Sequence, residues 1–418
     1  MQTVKEKTGL LLGNFLEFYD FTLFAALLPI ITPMLFPDKE ITNSLLFAYG
    51  FLAIGFFARP AGAVLFGFIG DTFGRKKAMI ISIIMMSIST LSISFIPSDT
   101  KLSFYGLWIL GLCRILQGLS AGGEYCGAGL LLIENTPKEQ QQYFKSSLLT
   151  TSALVGAFSA SLAAAFISSS DSTKENWRIL FLIGGMIGFI TLWLRSSYKE
   201  IPKNGDNNFR EWKHLFKEHR SSLIYTIFFG ALMNVPFQMV TGFINTYFAT
   251  HDIGNKTVLM FTNSLVILFC AIITISFGFL SKKVDPMKMM LYASCGMSIF
   301  AFPFFFLISS GSFFNFIFAE LALLILSQLF VAPAFTVMMR LFPYSIRYRG
   351  VALGNCIGLA FLGGITPFVS LNLIKLTELK WSPAIYLFTI SLMGFYTTRI
   401  VANKFNNKTT HNKYIFEV

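Results

Sequence analysis

The chain has 418 residues, of which 54% are hydrophobic and only 13% are charged, and its formal net charge is +12. A soluble domain carries about twice this share of charged residues, so the composition excludes an ordinary soluble enzyme. The apolar runs are continuous and long enough to cross a bilayer, which predicts an all-α membrane protein, because open strands cannot face lipid.

The positive charge does not indicate nucleic-acid binding, because the cations gather in alternate loops rather than on one face. No nucleotide-binding loop, catalytic triad or metal-ligand cluster appears in the sequence. The five cysteines all fall inside apolar runs and show no paired or metal-ligand spacing. We therefore expect no enzymatic activity, no cofactor and no obligate protein partner.

Twelve apolar runs are predicted to span the membrane. The longest polar interruption, a predicted cytoplasmic linker at 196–220, separates two six-span halves at 1–195 and 221–403, and a short basic tail follows at 404–418. This division predicts two pseudo-symmetric six-helix bundles. The predicted spans are 9–35, 44–69, 78–97, 102–133, 146–169, 177–195, 221–249, 256–280, 288–309, 312–340, 350–374 and 382–402.

The orientation follows from the loops. With both termini inside, cytoplasmic segments hold about 24 Lys and Arg and external loops about 7, as the positive-inside rule requires. Two further cations, Arg59 and Arg114, lie inside spans. Arg59 is in the cytoplasmic half of its span and is expected to extend toward the membrane surface.

The first span contains GNFLEFYDF, with Glu17 and Asp20 on one helix face because they are three residues apart. Two neighbouring carboxylates in a low dielectric cannot both ionise cheaply, so one is expected to hold a proton at neutral pH. Acids within a membrane often mark proton relays, which makes this pair the predicted proton site. The alternative is a fixed ion pair with a cation.

The connection between the second and third spans reads GFIGDTFGRKK, from Gly67 to Lys77. Gly70 and Gly74 are expected to form a tight turn, and Asp71 is free to accept hydrogen bonds. The cations Arg75, Lys76 and Lys77 are expected to hold the loop in the cytoplasm. The corresponding stretch of the second half, GFLSKKVDPMK, has Lys282 where the first has Asp71.

That loop resembles the signature between the second and third helices of the major facilitator superfamily. The resemblance implies a conformational switch, in which residues 67–77 stabilise one facing state of a carrier through contacts at the cytoplasmic surface. The alternative is a plain cytoplasmic loop rich in Lys and Arg.

The fourth span contains RILQGLSAGGEY, with Arg114 near mid-membrane, Gln117 one turn further and Glu124 deeper toward the cytoplasm. Arginine stays charged, so Arg114 must face an acid or an anionic ligand. It can pair with Glu17 or Asp20 when the carrier is empty, and with a substrate carboxylate when it is loaded. A permanent bridge between helices is the alternative. Glycines that allow close helix approach follow at Gly118, Gly122, Gly123, Gly127 and Gly129.

Two spans of the second half also carry polar residues. Asn234 and Gln238 share one face of the seventh span with Thr241 and Asn245, and cavity lining and interhelical hydrogen bonding are both open for them. Glu320 and Gln328 in the tenth span are candidate contacts of the second half. Glu320 is near the outer end of its span, where solvation is the alternative.

The stretches GNFLEFYDF, FFARPAGAVLFGFIGDTFGRKK, RILQGLSAGGE, RSSYKEIP, LFPYSIRYRGVALG and GGITPF together resemble the metabolite–proton symporter family, within it most of all the proline/betaine transporters. The resemblance covers nearly the whole chain. It implies symport of protons with a small carboxylate-bearing solute across a bacterial inner membrane, driven by the proton gradient. Glu17 and Asp20 would carry protons, and Arg114, Gln117, Glu124, Asn234 and Gln238 would contact the substrate.

Other functions remain open at this point. A di- or tricarboxylate symporter of the same fold is the nearest alternative, although it would want more than one buried cation. An exporter of organic cations and a non-transporting membrane sensor are more distant alternatives. The expected partners are the substrate, protons and the lipid bilayer.

Overall fold

The structure, a computed structural model, describes residues 4–35, 41–96, 103–134, 136–169, 176–196, 208–244, 256–310 and 312–411. Helices make up nearly all of these segments. The first half contains α1 (Val4–Leu35), α2 (Ile41–Phe73), α3 (Arg75–Ser94), α4 (Ser103–Glu134), α5 (Glu139–Ser169) and α6 (Trp177–Ser196).

The second half repeats this order of long helices after a short helix α7 (Asn208–Glu218). Its helices are α8 (Arg220–Gln238), α9 (Lys256–Leu280), α10 (Pro286–Ser309), α11 (Phe313–Arg340), α12 (Arg347–Gly358), α13 (Thr366–Thr377) and α14 (Pro383–His411). A wide π-helical segment, Met239–Ile244, extends α8, and another, Leu359–Gly363, joins α12 to α13. Helix α8 with its π-helical extension forms one span, and α12, the second π-helical segment and α13 together form another.

Eleven helices in the described part of the chain are long and apolar enough to cross a bilayer. The twelfth span is α4, whose 32 residues have the required length. Its polar residues and glycines lower its hydropathy, and it packs against α2 and α3 inside the protein. The prediction of an all-α protein with twelve spans is therefore confirmed, and 1–195 and 221–403 remain the predicted bounds of its two bundles.

Glycines bring α2 and α4 into backbone contact, as the sequence predicted. A Cβ atom on Gly62 would lie 2.0 Å from the carbonyl oxygen of Leu119, and one on Gly118 would lie 2.1 Å from that of Gly55. A Cβ on Gly122 would lie 2.2 Å from the carbonyl of Arg59. This contact sets α2 and its arginine directly beside the polar stretch of α4.

The linker contains structure that the sequence reading did not predict. Helix α7 is amphipathic, and its Leu215 is fully buried in the core shared with the second half. The ring of Trp212 lies 5.4 Å from the guanidinium of Arg349, at the start of α12. The repeating pattern of Trp212, Leu215 and Phe216 was the available signal. Helix α14 likewise continues to His411, into the predicted tail.

The two halves meet along α5 with α9 and along α2 with α12. The hydroxyls of Ser161 and Ser264 are 2.8 Å apart, and the rings of Phe144 and Phe279 are 4.6 Å apart. At the end predicted to face the cytoplasm, α4 and α5 also contact α11 and α12. The halves are thus closed against each other at that end.

Candidate functional site

The acid and the arginine expected to meet near mid-membrane do meet. Asp20 of α1 and Arg114 of α4 are both fully buried, with Arg114 Nη2 3.4 Å from Asp20 Oδ2. Gln117 Nε2 donates to the other carboxylate oxygen, Oδ1, at 2.8 Å. Thr90 of α3 donates to the same oxygen at 2.9 Å. Three helices therefore position one carboxylate.

The guanidinium of Arg114 has spare hydrogen-bonding capacity. Its Nε and Nη1 atoms are buried and have no hydrogen-bond partner, and neither does Gln117 Oε1. The ring of Phe24 lies 3.9 Å from the guanidinium carbon and offers its electron-rich face. Buried polar groups are normally satisfied, so unpaired donors at this position indicate a place for a ligand or for water.

A second pair lies beside the first. Arg59 Nη1 of α2 is 2.8 Å from Glu17 Oε1, while Glu17 Oε2 and Arg59 Nε have no partner. The expectation that Arg59 extends to the membrane surface is wrong, since the residue is only 4% exposed. The ion pair with Glu17 and the close packing of α2 against α4 keep the Arg59 side chain in the protein interior.

One aromatic ring joins the two pairs. Phe21 of α1 lies 4.1 Å from the guanidinium carbon of Arg59 and 5.8 Å from that of Arg114. The acids of α1 and both arginines therefore form one buried cluster around Phe21, which we name the polar chamber. The sequence predicted this meeting for Arg114 with an acid of α1, but it did not predict the pairing of Arg59 with Glu17.

Glu124 is placed in a separate, fully bonded cluster toward the predicted cytoplasmic end. Arg195 of α6 binds both of its carboxylate oxygens, one of them at 2.9 Å. The same guanidinium donates to the carbonyl oxygens of Gly9 and Met79. Ser82 Oγ lies 2.8 Å from Glu124 Oε2. This saturation is typical of a pair that holds α1, α3, α4 and α6 together.

Aromatic side chains extend from the chamber toward the second half. The ring of Tyr125 lies 6.1 Å from that of Phe18 and 5.4 Å from that of Phe335 on α11. Tyr19 points elsewhere, because its hydroxyl donates to the carbonyl of Leu180 on α6. Phe18 and Tyr125 are thus better placed than Tyr19 to contact a ligand between the halves.

Asn234 and Gln238 of α8 are half-buried, and Asn234 donates to the carbonyl of Gly230 in its own helix. A Cβ on Gly363 would lie 2.6 Å from that of Asn234. One on Gly364 would lie 2.8 Å from the ring of Phe56, which itself lies 5.2 Å from Arg59. The π segment between α12 and α13 thus connects the two halves here. Asn245 lies outside the described residues.

The Gly67–Lys77 stretch is mostly helical. Gly74 has a φ of 100°, which favours a residue without a side chain, whereas Gly70 lies within α2, so the turn is made at Gly74. Lys76 Nζ donates to the carbonyl of Ser196 at 2.8 Å, and Lys77 is exposed. Gly67 lies against Arg349 and Trp212. The side chain of Asp71 lies outside the described residues.

Arg75 takes part in a network between the halves. Its Nη1 is 2.7 Å from Glu134 Oε2, at the end of α4, and Arg347 Nη1 of α12 is 3.2 Å from the other oxygen of that carboxylate. Nearby, Arg340 of α11 pairs with Glu139 of α5. The sequence reading missed both glutamates, although each stands at a helix end within a basic surface.

Glu320 is not solvated, contrary to the alternative considered for it. The residue is fully buried in α11. Gln328, two turns further along the helix, accepts a hydrogen bond of 3.0 Å from Thr274 of α9. Their role as second-half contacts of a substrate stays a prediction.

Comparison with known proteins agrees with this architecture. The family model described as Major Facilitator Superfamily matches residues 10–367. A protein of Staphylococcus aureus (strain COL), with the provisional name proline/betaine transporter, is 30% identical over 407 residues, which cover 92% of this chain and 85% of that protein. The proline/betaine transporter of Salmonella typhimurium (strain LT2) is 27% identical, covering 94% of this chain and 82% of its own.

Solved structures share the fold. The proton:xylose symporter XylE bound to 6-bromo-6-deoxy-D-glucose superposes with a TM-score of 0.75 at 14% identity, covering 96% of this chain and 95% of its own. The human organic anion transporter MFSD10 gives a TM-score of 0.67 at 13% identity, covering 95% of this chain and 100% of its own.

Twelve spans around a buried polar centre define a multi-pass membrane transporter rather than an enzyme. The chain belongs to the major facilitator superfamily, and it resembles the proline/betaine transporters within it.

Proposed function

We propose that this protein transports a small carboxylate-bearing solute together with protons, by alternating access across a bacterial inner membrane with both termini in the cytoplasm. The solute class we favour is a proline- or betaine-like zwitterion. The names of the relatives support the solute class, and the composition of the buried chamber supports the coupling to protons.

The observation that carries the proposal is the spare capacity of Arg114. In a purely structural pair the guanidinium would be saturated, as Arg195 is around Glu124. Arg114 instead holds Asp20 through one contact of 3.4 Å and keeps two buried nitrogens unpaired. Once Asp20 releases Nη2, a substrate carboxylate can bind the guanidinium through two parallel hydrogen bonds, one from Nη2 and one from either unpaired nitrogen.

Coupling follows from competition for that guanidinium. While Asp20 is ionised, it neutralises Arg114 and makes the empty chamber tolerable at low dielectric. When Asp20 takes up a proton, its hold on Arg114 weakens, and the buried cation then needs another anion. The solute carboxylate supplies that anion, so proton and solute bind in the same half-cycle. Glu17, with one free oxygen beside Arg59, is the second proposed proton site.

The rest of the solute would lie among groups of both halves. The faces of Phe18 and Tyr125 suit a cationic nitrogen, since aromatic rings attract ammonium groups. Gln117, Asn234 and Gln238 supply polar contacts around it. Glu124 would act by holding the helices of the first bundle in place.

Alternating access would come from rocking of the two bundles. The ion pair of Arg347 with Glu134 joins the two halves at the predicted cytoplasmic end, and Arg75 holds the other oxygen of the same carboxylate from within the first half. Opening toward the cytoplasm must break the Arg347–Glu134 pair, so Arg75, next to the turn at Gly74, would influence the balance between the two facing states by holding Glu134 in place.

Uptake into proteoliposomes tests the proposal. Under an imposed acid-outside gradient, labelled proline or betaine should accumulate, and a protonophore should abolish accumulation. Accumulation that ignores the protonophore rejects symport. Efflux driven by external acid indicates an exporter, and absence of transport for every solute tested indicates a sensor.

One observation favours a second candidate, a di- or tricarboxylate–proton symporter. Two buried guanidiniums, those of Arg59 and Arg114, contact the same Phe21 ring. Protonation of both Glu17 and Asp20 would leave two cations for two carboxylates. Uptake of labelled citrate or 2-oxoglutarate, with none of proline or betaine, selects this candidate.

A further inference from the structure

The second half contains a buried acid that has no role in the mechanism above. Both carboxylate oxygens of Glu320 are buried, and neither has a hydrogen-bond partner. No described lysine, arginine or histidine forms an ion pair with it. An ionised carboxylate in such a place is very costly, so this environment favours the protonated form of the group.

The surroundings of Glu320 support this conclusion. Helices α9 and α11 run parallel and pack together, and the buried thiol of Cys270 is the titratable group near Glu320 among the described side chains of α9. The side chain of Lys256, at the start of α9, lies outside the described residues. Helix α10 meets α11 where Gly296 contacts Leu326, so its residues level with Glu320 are near Phe302. Apolar residues dominate there, and none can neutralise a charge.

The charged residues of the other elements that pack against α11 are distant or already paired. Glu320 is seven residues from Phe313, about 10 Å along the helix from its predicted external end. The described charged residues of α5, α8, α10 and α12 are near the opposite end of the molecule, and those of α4 belong to the clusters above. The residues at that opposite end are Glu139, Lys145, Arg220, Lys288, Arg347 and Arg349.

Polar residues of α9 and α11 lie between the level of Glu320 and the middle of the bundle. Cys270 and Thr274 lie one turn apart on α9, and the Thr274 hydroxyl is 2.7 Å from the carbonyl of Cys270 and 3.0 Å from Gln328 Oε1. Gln328 and Glu320 lie two turns apart on one side of α11. Further along α11, Phe335 contacts Tyr125 of the first half. The acid therefore belongs to the helix that borders the chamber.

We propose that Glu320 is a second proton-binding site, located in the C-terminal bundle, which stays neutral in this cytoplasm-closed conformation and releases its proton when movement of the bundles exposes it. The proposal rests on the proton-coupled transport proposed above. A bundle that carries its own proton would couple its movement to the gradient independently of Asp20 and Arg114.

Two variants test the role of Glu320. Glu320→Gln keeps the shape of the neutral group but cannot release a proton, and Glu320→Asp keeps a carboxyl. With a pH-sensitive dye and labelled solute, the ratio of protons to solute should fall in Glu320→Gln and persist in Glu320→Asp. Glu378→Gln, at an exposed position of the same bundle, should leave the ratio unchanged. An unchanged ratio in Glu320→Gln overturns the proposal and leaves a merely structural neutral carboxyl.

Infrared spectroscopy of the full-length protein in liposomes needs no substrate. A carbonyl-stretch band of a protonated carboxyl should be present at neutral pH in the wild type and in Glu378→Gln, and weaker in Glu320→Gln. Equal bands in all three overturn the proposal. If the wild type moves no protons with solute, symport fails, and this band still decides whether Glu320 holds a proton.

Discussion

Two buried arginines of the same bundle differ in how completely they are bonded. Arg195 donates to Glu124 and to two backbone carbonyls, so no ligand can bind it without breaking those contacts. Arg114 leaves two nitrogens unpaired beside an acid that can change its charge. Hydrogen-bond satisfaction separates a structural arginine from a candidate ligand-binding one, where sequence position alone could not.

Replacement of Arg114 tests this distinction. Arg114→Ala should abolish uptake, because the chamber loses the group that binds the solute carboxylate. Breaking a buried pair also leaves a stranded charge and typically costs about 3–5 kcal/mol. The double variant Arg114→Ala with Asp20→Asn removes that charge, so its thermal stability should recover while its uptake stays lost.

Arg399→Ala, at an exposed position on α14, is the control and should transport normally. The measurements are uptake into proteoliposomes and melting of the purified protein. Normal uptake by Arg114→Ala would remove Arg114 from the site.

At the scale of helices, the α2–α4 contact positions the chamber. Because Gly62 and Gly118 have no side chains, the backbones of α2 and α4 touch at these positions. This close contact places Arg59 near Glu17 and Arg114. Gly62→Ala should therefore destabilise the protein, by about 1–3 kcal/mol, because the added methyl overlaps the carbonyl of Leu119.

Gly50→Ala is a matched control on the same helix. A Cβ there would meet nothing within 4 Å, so the substitution should be neutral or slightly stabilising in melting experiments. Equal melting temperatures for the two variants would contradict the backbone contact between α2 and α4.

The sequence predicted the spans well because each needs a long apolar run. It predicted Glu17 or Asp20 beside Arg114, because a buried charge requires a partner, but it did not choose between the two acids. It could not place Arg59, since the depth of a side chain depends on the helix packed against it. For the same reason it could not decide whether Glu320 is a contact within the second half or is solvated near the outer end of its span. The sequence did not predict helix α7, because its amphipathic pattern lies within the polar stretch taken as a linker.

At the scale of the whole molecule, the structure is closed at its predicted cytoplasmic end by ion pairs between the halves. The two oxygens of the Glu134 carboxylate bind different arginines. Oε1 pairs with Arg347 of the second half, and Oε2 pairs with Arg75 of the first half. Glu134→Gln should shift the population toward the cytoplasm-open state, because a neutral amide holds Arg347 of the other half less strongly.

Spin labels at the exposed positions Lys77 and Lys283, one in each half, can report this opening. The distance distribution should move to longer values in Glu134→Gln and stay unchanged in Glu218→Gln, whose carboxylate pairs only with His214 of the same helix among the described contacts. Identical distributions in all three proteins would exclude this network as a cytoplasmic gate.

Binding of labelled betaine and proline to the purified protein as a function of pH tests the exchange at Arg114 most directly. In the wild type, affinity should rise as pH falls, because protonation of Asp20 frees the guanidinium for the solute. Asp20→Asn is permanently neutral at this position, so it should bind tightly with little dependence on pH. If Asp20→Asn kept the full pH dependence of solute affinity that the wild type shows, the proposed exchange at Arg114 would be contradicted.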